Sequence, residues 1–156
     1  TLYLERDSRD IWTMNTLTYD AFFINALSNN IKNGIPSREK RMAELANFHF
    51  KPIYFESDQY ALDSSYYDDL KAIARILKSH SDLRLKIEGY TDGDGSESYN
   101  LNLSKQRAAQ IIAYLVSIGI TSDRMVQAYD GEKKPIDSNL TEEGKQRNRR
   151  VELSFI

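Results

Sequence analysis

Cysteine is absent from all 156 residues. Disulfide staples, thiolate catalysis and cysteine-ligated zinc all need a sulfur that this chain lacks. Histidine is nearly absent too. His49 and His80 are the only two, they lie far apart, and neither sits beside an Asp/Glu pair at metal-ligand spacing. No metal and no cofactor is expected. No apolar run reaches the roughly 18 residues a membrane-spanning helix needs. Charge of one sign is missing as well: 21 Lys and Arg stand against 23 Asp and Glu, a net charge of −2. A general nucleic-acid binder needs a basic excess to displace counterions, so nucleic acid is not an expected partner. Thr1 opens the chain without a charged-then-apolar leader, which reads as a piece of something longer. What is present is a 40% hydrophobic, 28% charged chain, enough for one ordinary domain with an appendage.

Two segments differ in pattern. Residues 1 to about 36 read as helical, because Leu17, Ala21, Ile24, Leu27 and Ile31 recur at spacings of three and four. Gly34 and Pro36 punctuate that stretch, and Ser37 can cap a second short helix through Met42, Leu45 and Ala46. Residues 1–48 are therefore expected to be a helical N-terminal extension, too small to bury a core alone. From His49 the pattern turns to strands and helices. Ile53-Tyr54-Phe55 is aromatic and β-branched. A helix from Asp63 or Ser64 carries Tyr67, Leu70, Ile73, Ala74 and Leu77 on one side. Leu83, Leu85 and Ile87 alternate with Arg84, Lys86 and Glu88, the period of a half-buried strand. Leu103, Ala108, Ile111, Ile112 and Leu115 supply another helical stripe, closed by Gly119. Met125 to Tyr129 and Val151 to Phe155 complete the strands, with one helical turn from Thr141 to Gln146 between them. The expected class is α+β: a β-α-β-α-β-β mixed sheet packed by helices over residues 49–156.

The densest chemistry lies in Gly89-Tyr90-Thr91-Asp92, followed by Gly95, Asn100, Leu103-Ser104 and Arg107-Ala108. A carboxylate ends a strand and a guanidinium rides the next helix. A connection of roughly 8 residues, a common length, can fold the two toward each other. The expected product is a receptor for a zwitterion, with Asp92 facing an ammonium and Arg107 a carboxylate. Other readings of these residues fit less well. Asp92-Gly93-Asp94-Gly95 resembles the start of a calcium loop, but Glu97 and Leu103 occupy the places of its required glycine and glutamate. Asp92 with Asp94 on one Gly-rich loop is poor support for a glycoside-cleaving carboxylate pair. No G-x-S-x-G occurs and no histidine lies near the loop, so no enzyme is expected.

Those residues resemble the OmpA-like peptidoglycan-binding domain. The family pattern is G-H-T-D, two residues, G, four residues, N, two residues, L-S, two residues, R-A, and this chain reproduces every spacing. Gly131-Glu132, Pro135 and Asn148-Arg149-Arg150-Val151-Glu152 are similar to the family's later signatures. Ile53-Tyr54-Phe55-Glu56-Ser57-Asp58 looks like its first strand and turn. Three positions depart from the pattern: Tyr90 replaces the histidine, Tyr129 a glycine and Lys145 an arginine. On an alternating strand residue 90 points away from Gly89 and Thr91. The resemblance implies non-covalent binding of the diaminopimelate in a cell-wall stem peptide. It assigns Asp92 to the ammonium and Arg107 to the carboxylate. It adds Thr91 and Asn100, Leu103 through its backbone, Ser57 and Asp58 from the first turn, and Asn148 and Arg149 from the last signature. It implies a periplasmic, wall-associated module that anchors an envelope protein to peptidoglycan. The alternative is an interaction or dimerisation module in which residues 1–48 dominate and hold other envelope proteins.

Overall fold

The computed structural model describes residues 2–6, 12–16, 38–46 and 48–156. The chain separates into two compact units, Thr1–Phe48 and His49–Ile156. In the first, β1 (Leu2–Arg6) pairs antiparallel with β2 (Trp12–Thr16), Leu4 opposite Met14, and α1 runs Arg38–Leu45. The expected helical opening is therefore corrected: the chain begins with a strand pair. The physical reason is visible in the sequence, where Leu2 and Leu4 alternate with Tyr3 and Glu5 and where Trp12 and Thr13 favour extended backbone. The expected helical face from Leu17 to Ile31 and the Ser37 cap lie outside the described residues.

The second unit has the expected order: β3 (Ile53–Tyr54), α2 (Tyr67–Ser79), β4 (Leu85–Tyr90), α3 (Glu97–Ser117), β5 (Met125–Gly131), α4 (Glu142–Asn148) and β6 (Arg150–Phe155). The strands form one mixed sheet in the order β3-β6-β4-β5. β6 is antiparallel to β3 and β4, pairing Val151 with Ile53 on one side and Gly89 on the other. β4 and β5 are parallel, Ile87 opposite Gln127, so α3 is the crossover that joins them. Side chains cap α3 and α4, Ser96 accepting from the Tyr99 N–H and Thr141 from Gly144, and Asp63 caps the 3-10 turn Ser64–Tyr66 that leads into α2 by accepting from the Ser65 N–H. Gly119, at φ +100°, turns the chain out of α3.

Leu70, Ile73 and Leu77 of α2, Ala108, Ile111 and Leu115 of α3, Leu85 and Ile87 of β4, and Val151 of β6 are buried together. Gly89 sets how tightly α3 lies on the sheet. A Cβ there would stand 2.0 Å from the Ser104 carbonyl oxygen, well inside van der Waals contact. Only glycine lets the helix carrying Asn100 to Arg107 approach the end of β4 this closely, and that approach builds the site.

Candidate functional site

The loop between β4 and α3 is fixed at both ends. The Thr91 N–H donates to the Gly131 carbonyl (2.9 Å), and its hydroxyl donates to the Asp92 carbonyl (2.9 Å). Gly95, at φ +91°, makes the bend, and Ser96 caps the helix beyond it. α3 starts at Glu97.

Asp92 is buried, with 6% of its surface exposed. Its Oδ1 accepts from the Asp94 N–H at 3.1 Å and its Oδ2 from Arg149 Nη1 at 3.1 Å. Arg149 is 3% exposed. Its Nε donates to the Phe55 carbonyl (3.1 Å), and both terminal nitrogens reach Glu142 Oε1 at 3.1 Å. Burial alone would lower the Arg149 pKa. The bonds to Asp92 and Glu142 outweigh that and hold it above its ordinary value. Glu142 has 70% of its side chain exposed, so this relay runs from the interior to the rim.

Arg107 is fully buried. Nε donates to the Gln59 carbonyl (2.8 Å), Nη1 to Tyr90 (3.0 Å) and Nη2 to Glu56 (3.0 Å). The guanidinium carbon also lies 5.3 Å from the Phe55 ring centroid. Burial pulls its pKa down to about 10, against the charge of Asp92 and with that of Arg149. It is still a cation at neutral pH. A guanidinium carries five N–H donors. The described residues take three, which leaves one on each terminal nitrogen.

The structure therefore puts Asp92 and Arg107 at the same end of β4, but gives Asp92 a different direct ionic partner. Arg107 bonds to Tyr90, two residues before Asp92, while Arg149 makes the ion pair. Among the other expected residues, Asn100 is buried on the first turn of α3, and its amide reaches Glu132 Oε1 at 3.5 Å. Leu103 is a core residue, and its backbone lies inside the helical ladder beyond the first turn, where helix N–H groups are free. Ser57 is exposed in the turn after β3. Asp58 adopts φ +56° and accepts from the Tyr99 hydroxyl at 3.2 Å. Asn148 is fully buried and makes all four of its amide bonds locally. Oδ1 accepts from Ile136 and Asp137, and Nδ2 donates to the Asp137 carbonyl and to Asn139 Oδ1. Asn139 in turn accepts from the Gly93 N–H at 3.2 Å. Asn148 thus positions the loop beside Asp92. Lys145 adds a rim pair with Asp94 at 2.9 Å.

Sequence reasoning missed the Asp92–Arg149 pairing and the bond from Gly93 to Asn139. The available signal was the Asn148-Arg149-Arg150 string, whose two arginines diverge. Arg150 lies over the Tyr90 ring, 4.0 Å from its centroid, and bonds to the Asn148 and Lys134 carbonyls. Tyr90, in the place of the family histidine, is buried in that stack beside Glu88. Burial, then Glu88, raises its hydroxyl pKa. Among the described residues no group of three His, Asp or Glu side chains could hold a metal ion, and no helix is long and apolar enough to cross a membrane.

Comparison with known proteins agrees with this geometry. A sequence model of the OmpA family matches residues 54–149. The peptidoglycan-binding protein ArfA of Mycobacterium tuberculosis is 43% identical over 102 residues, which is 65% of this chain and 31% of ArfA. The chain thus spans about a third of that relative's length. Outer membrane protein A of Bordetella avium is 33% identical over 142 residues, covering 88% of this chain and 73% of that protein. That match reaches into the first 48 residues. The crystal structure of the peptidoglycan-associated lipoprotein from Burkholderia pseudomallei superposes with a TM-score of 0.66 at 31% identity, over 69% of this chain and 91% of that one. With the family pattern matched across most of the second unit and the same sheet found in a solved relative, this chain belongs to the OmpA family.

Proposed function

We propose that the second unit binds peptidoglycan without covalent chemistry, through the diaminopimelate of the stem peptide, and so anchors an envelope protein to the wall from the periplasmic side. The relatives named for peptidoglycan binding and association support the polymer. The observation that carries the finer reading is the buried trio of Asp92, Arg107 and Arg149. Two cations and one anion are buried there, and Glu142 at the rim supplies the second negative charge, so a zwitterion enters a balanced set without changing its net charge. The ligand's carboxylate accepts the two N–H groups that Arg107 has left. The ammonium at the same end of diaminopimelate joins Asp92, whose oxygens each accept one bond and have room for another. Arg149 then keeps Glu142 as its counter-ion. Thr91, Asn100 and Asn148 hold the loop, and Ser57 and Asp58 border the entrance.

Hydrogen bonds to charged groups contribute roughly 1.5–3 kcal/mol each. A few of them give modest affinity at one site, and a wall with many stem peptides adds retention through avidity. Sedimentation of the protein with purified walls, in competition with free diaminopimelate, tests the proposal. Competition at millimolar concentration supports it, and indifference to the diamino acid removes the pocket from the account.

A further inference from the structure

A concavity borders the backbone that holds the two arginines. It is a groove of about 650 Å³ between β3, the segment leading into α2, and α4. Glu56 and Gln59 belong to both places. Their carbonyls hold Arg107, while the residues themselves line the groove. Phe55, whose carbonyl holds Arg149, lines it as well. Groove and arginine site therefore share this stretch of backbone.

The groove's aromatic walls are rigid. The Tyr66 hydroxyl accepts from the Tyr54 N–H at 3.2 Å, which leaves its own proton to donate. The Tyr67 ring stacks on Tyr114 at 4.3 Å and 10°. The polar lining is uncommitted. Among the described residues the side chains of Glu56, Gln59 and Gln146 make no hydrogen bond, and Asp63 uses one oxygen on Ser65. Two carboxylates and no cationic side chain line the space, so an anion is disfavoured. Fixed aromatic faces beside amides and carboxylates suit a neutral polyhydroxylated ring. Its C–H face stacks on the aromatics, and its hydroxyl and acetamido groups pair with the polar rim.

We propose that this groove binds the N-acetylated sugar to which the stem peptide is attached. The inference rests on the wall-binding reading above and extends it from the peptide to the glycan. A sugar bearing the peptide through its carboxyl is neutral there, and the two residues that link it to the diamino acid span roughly 7 Å when extended, a length that bridges two contacts on one shared stretch of backbone.

Titration calorimetry of the whole chain with two ligands tests this: a stem tripeptide containing diaminopimelate, and the same tripeptide on its disaccharide. The disaccharide form is expected to bind about 10-fold tighter. Gln146→Ala should reduce that advantage, and Ala61→Trp, which fills the groove from an exposed position, should erase it. Both variants should leave tripeptide affinity unchanged, which also reports that they fold. Equal affinities in the wild type overturn the groove and leave the pocket standing. An advantage that survives Ala61→Trp overturns it too, because the sugar then sits elsewhere. Binding of neither ligand overturns the pocket, and the groove with it.

Discussion

Asp92→Asn is the sharpest perturbation of the pocket, because it changes one charge and almost no volume. Asp92 Oδ1 accepts only a backbone N–H, a role an amide oxygen fills equally well. Oδ2 pairs with Arg149, whose side chain is 4% exposed. Removing one member of a buried pair costs about 3–5 kcal/mol when the other is left alone. Here Arg149 keeps its fork on Glu142, so a loss of about 1–2 kcal/mol is expected instead. For a domain of this size that lowers Tm by roughly 4–12 °C, and the protein stays folded at room temperature. Ligand binding loses the ammonium's partner. One or two charge-assisted bonds at roughly 1.5 kcal/mol each amount to a drop of about 10- to 100-fold in affinity for diaminopimelate. Calorimetry on the folded variant, with Tm by scanning fluorimetry, reads both numbers. Wild-type affinity in folded Asp92→Asn would refute the dipolar pocket.

Other perturbations separate positioning from contact. Arg107→Ala removes a cation and leaves one buried and two part-buried carbonyls without their donor; unfolding free energy should fall by about 2 kcal/mol or more, and a denaturant midpoint unchanged from wild type would contradict the observed bonding. Glu88 is pushed up by burial, but Lys86, Tyr90 and Lys134 override this and pull it from 4.5 to about 2. A carboxylate depressed on folding stabilises above its unfolded pKa, so the advantage of wild type over Glu88→Gln should be full at pH 7 and fade between pH 4.5 and 2; a constant difference across that window would show that the charge contributes nothing. Wall binding should weaken as salt rises, since its contacts are ionic, and a flat response to about 1 M would indicate an apolar interface. Residues 49–156 alone should keep wall binding; loss of it in a folded fragment would move the function to residues 1–48.

Most of the second unit was legible because its elements are long and strongly patterned. The stripe of α2 and the alternation of β4 each have a single period to read. Asp92 and Arg107 were legible because a strand end and the following helix come together across one short loop. The partner of Asp92 was not, because Arg149 arrives from 57 residues away on a strand that threads between β3 and β4. No local rule reports that register. The surroundings of Asn148 and Leu103 were hidden for a related reason: a motif shows which residues recur together, whereas their burial and hydrogen bonds come from segments that only the fold brings together. At the beginning of the chain, five-residue strands offered too short a pattern to outweigh the helical spacing that follows them.

The most direct test is a crystal structure of the protein soaked with free diaminopimelate. The account predicts one ammonium within hydrogen-bond distance of an Asp92 carboxylate oxygen and the adjoining carboxylate on the two remaining N–H groups of Arg107, with Arg149 still on Glu142. Saturating ligand with no density between those residues, or density held only by surface side chains, contradicts it.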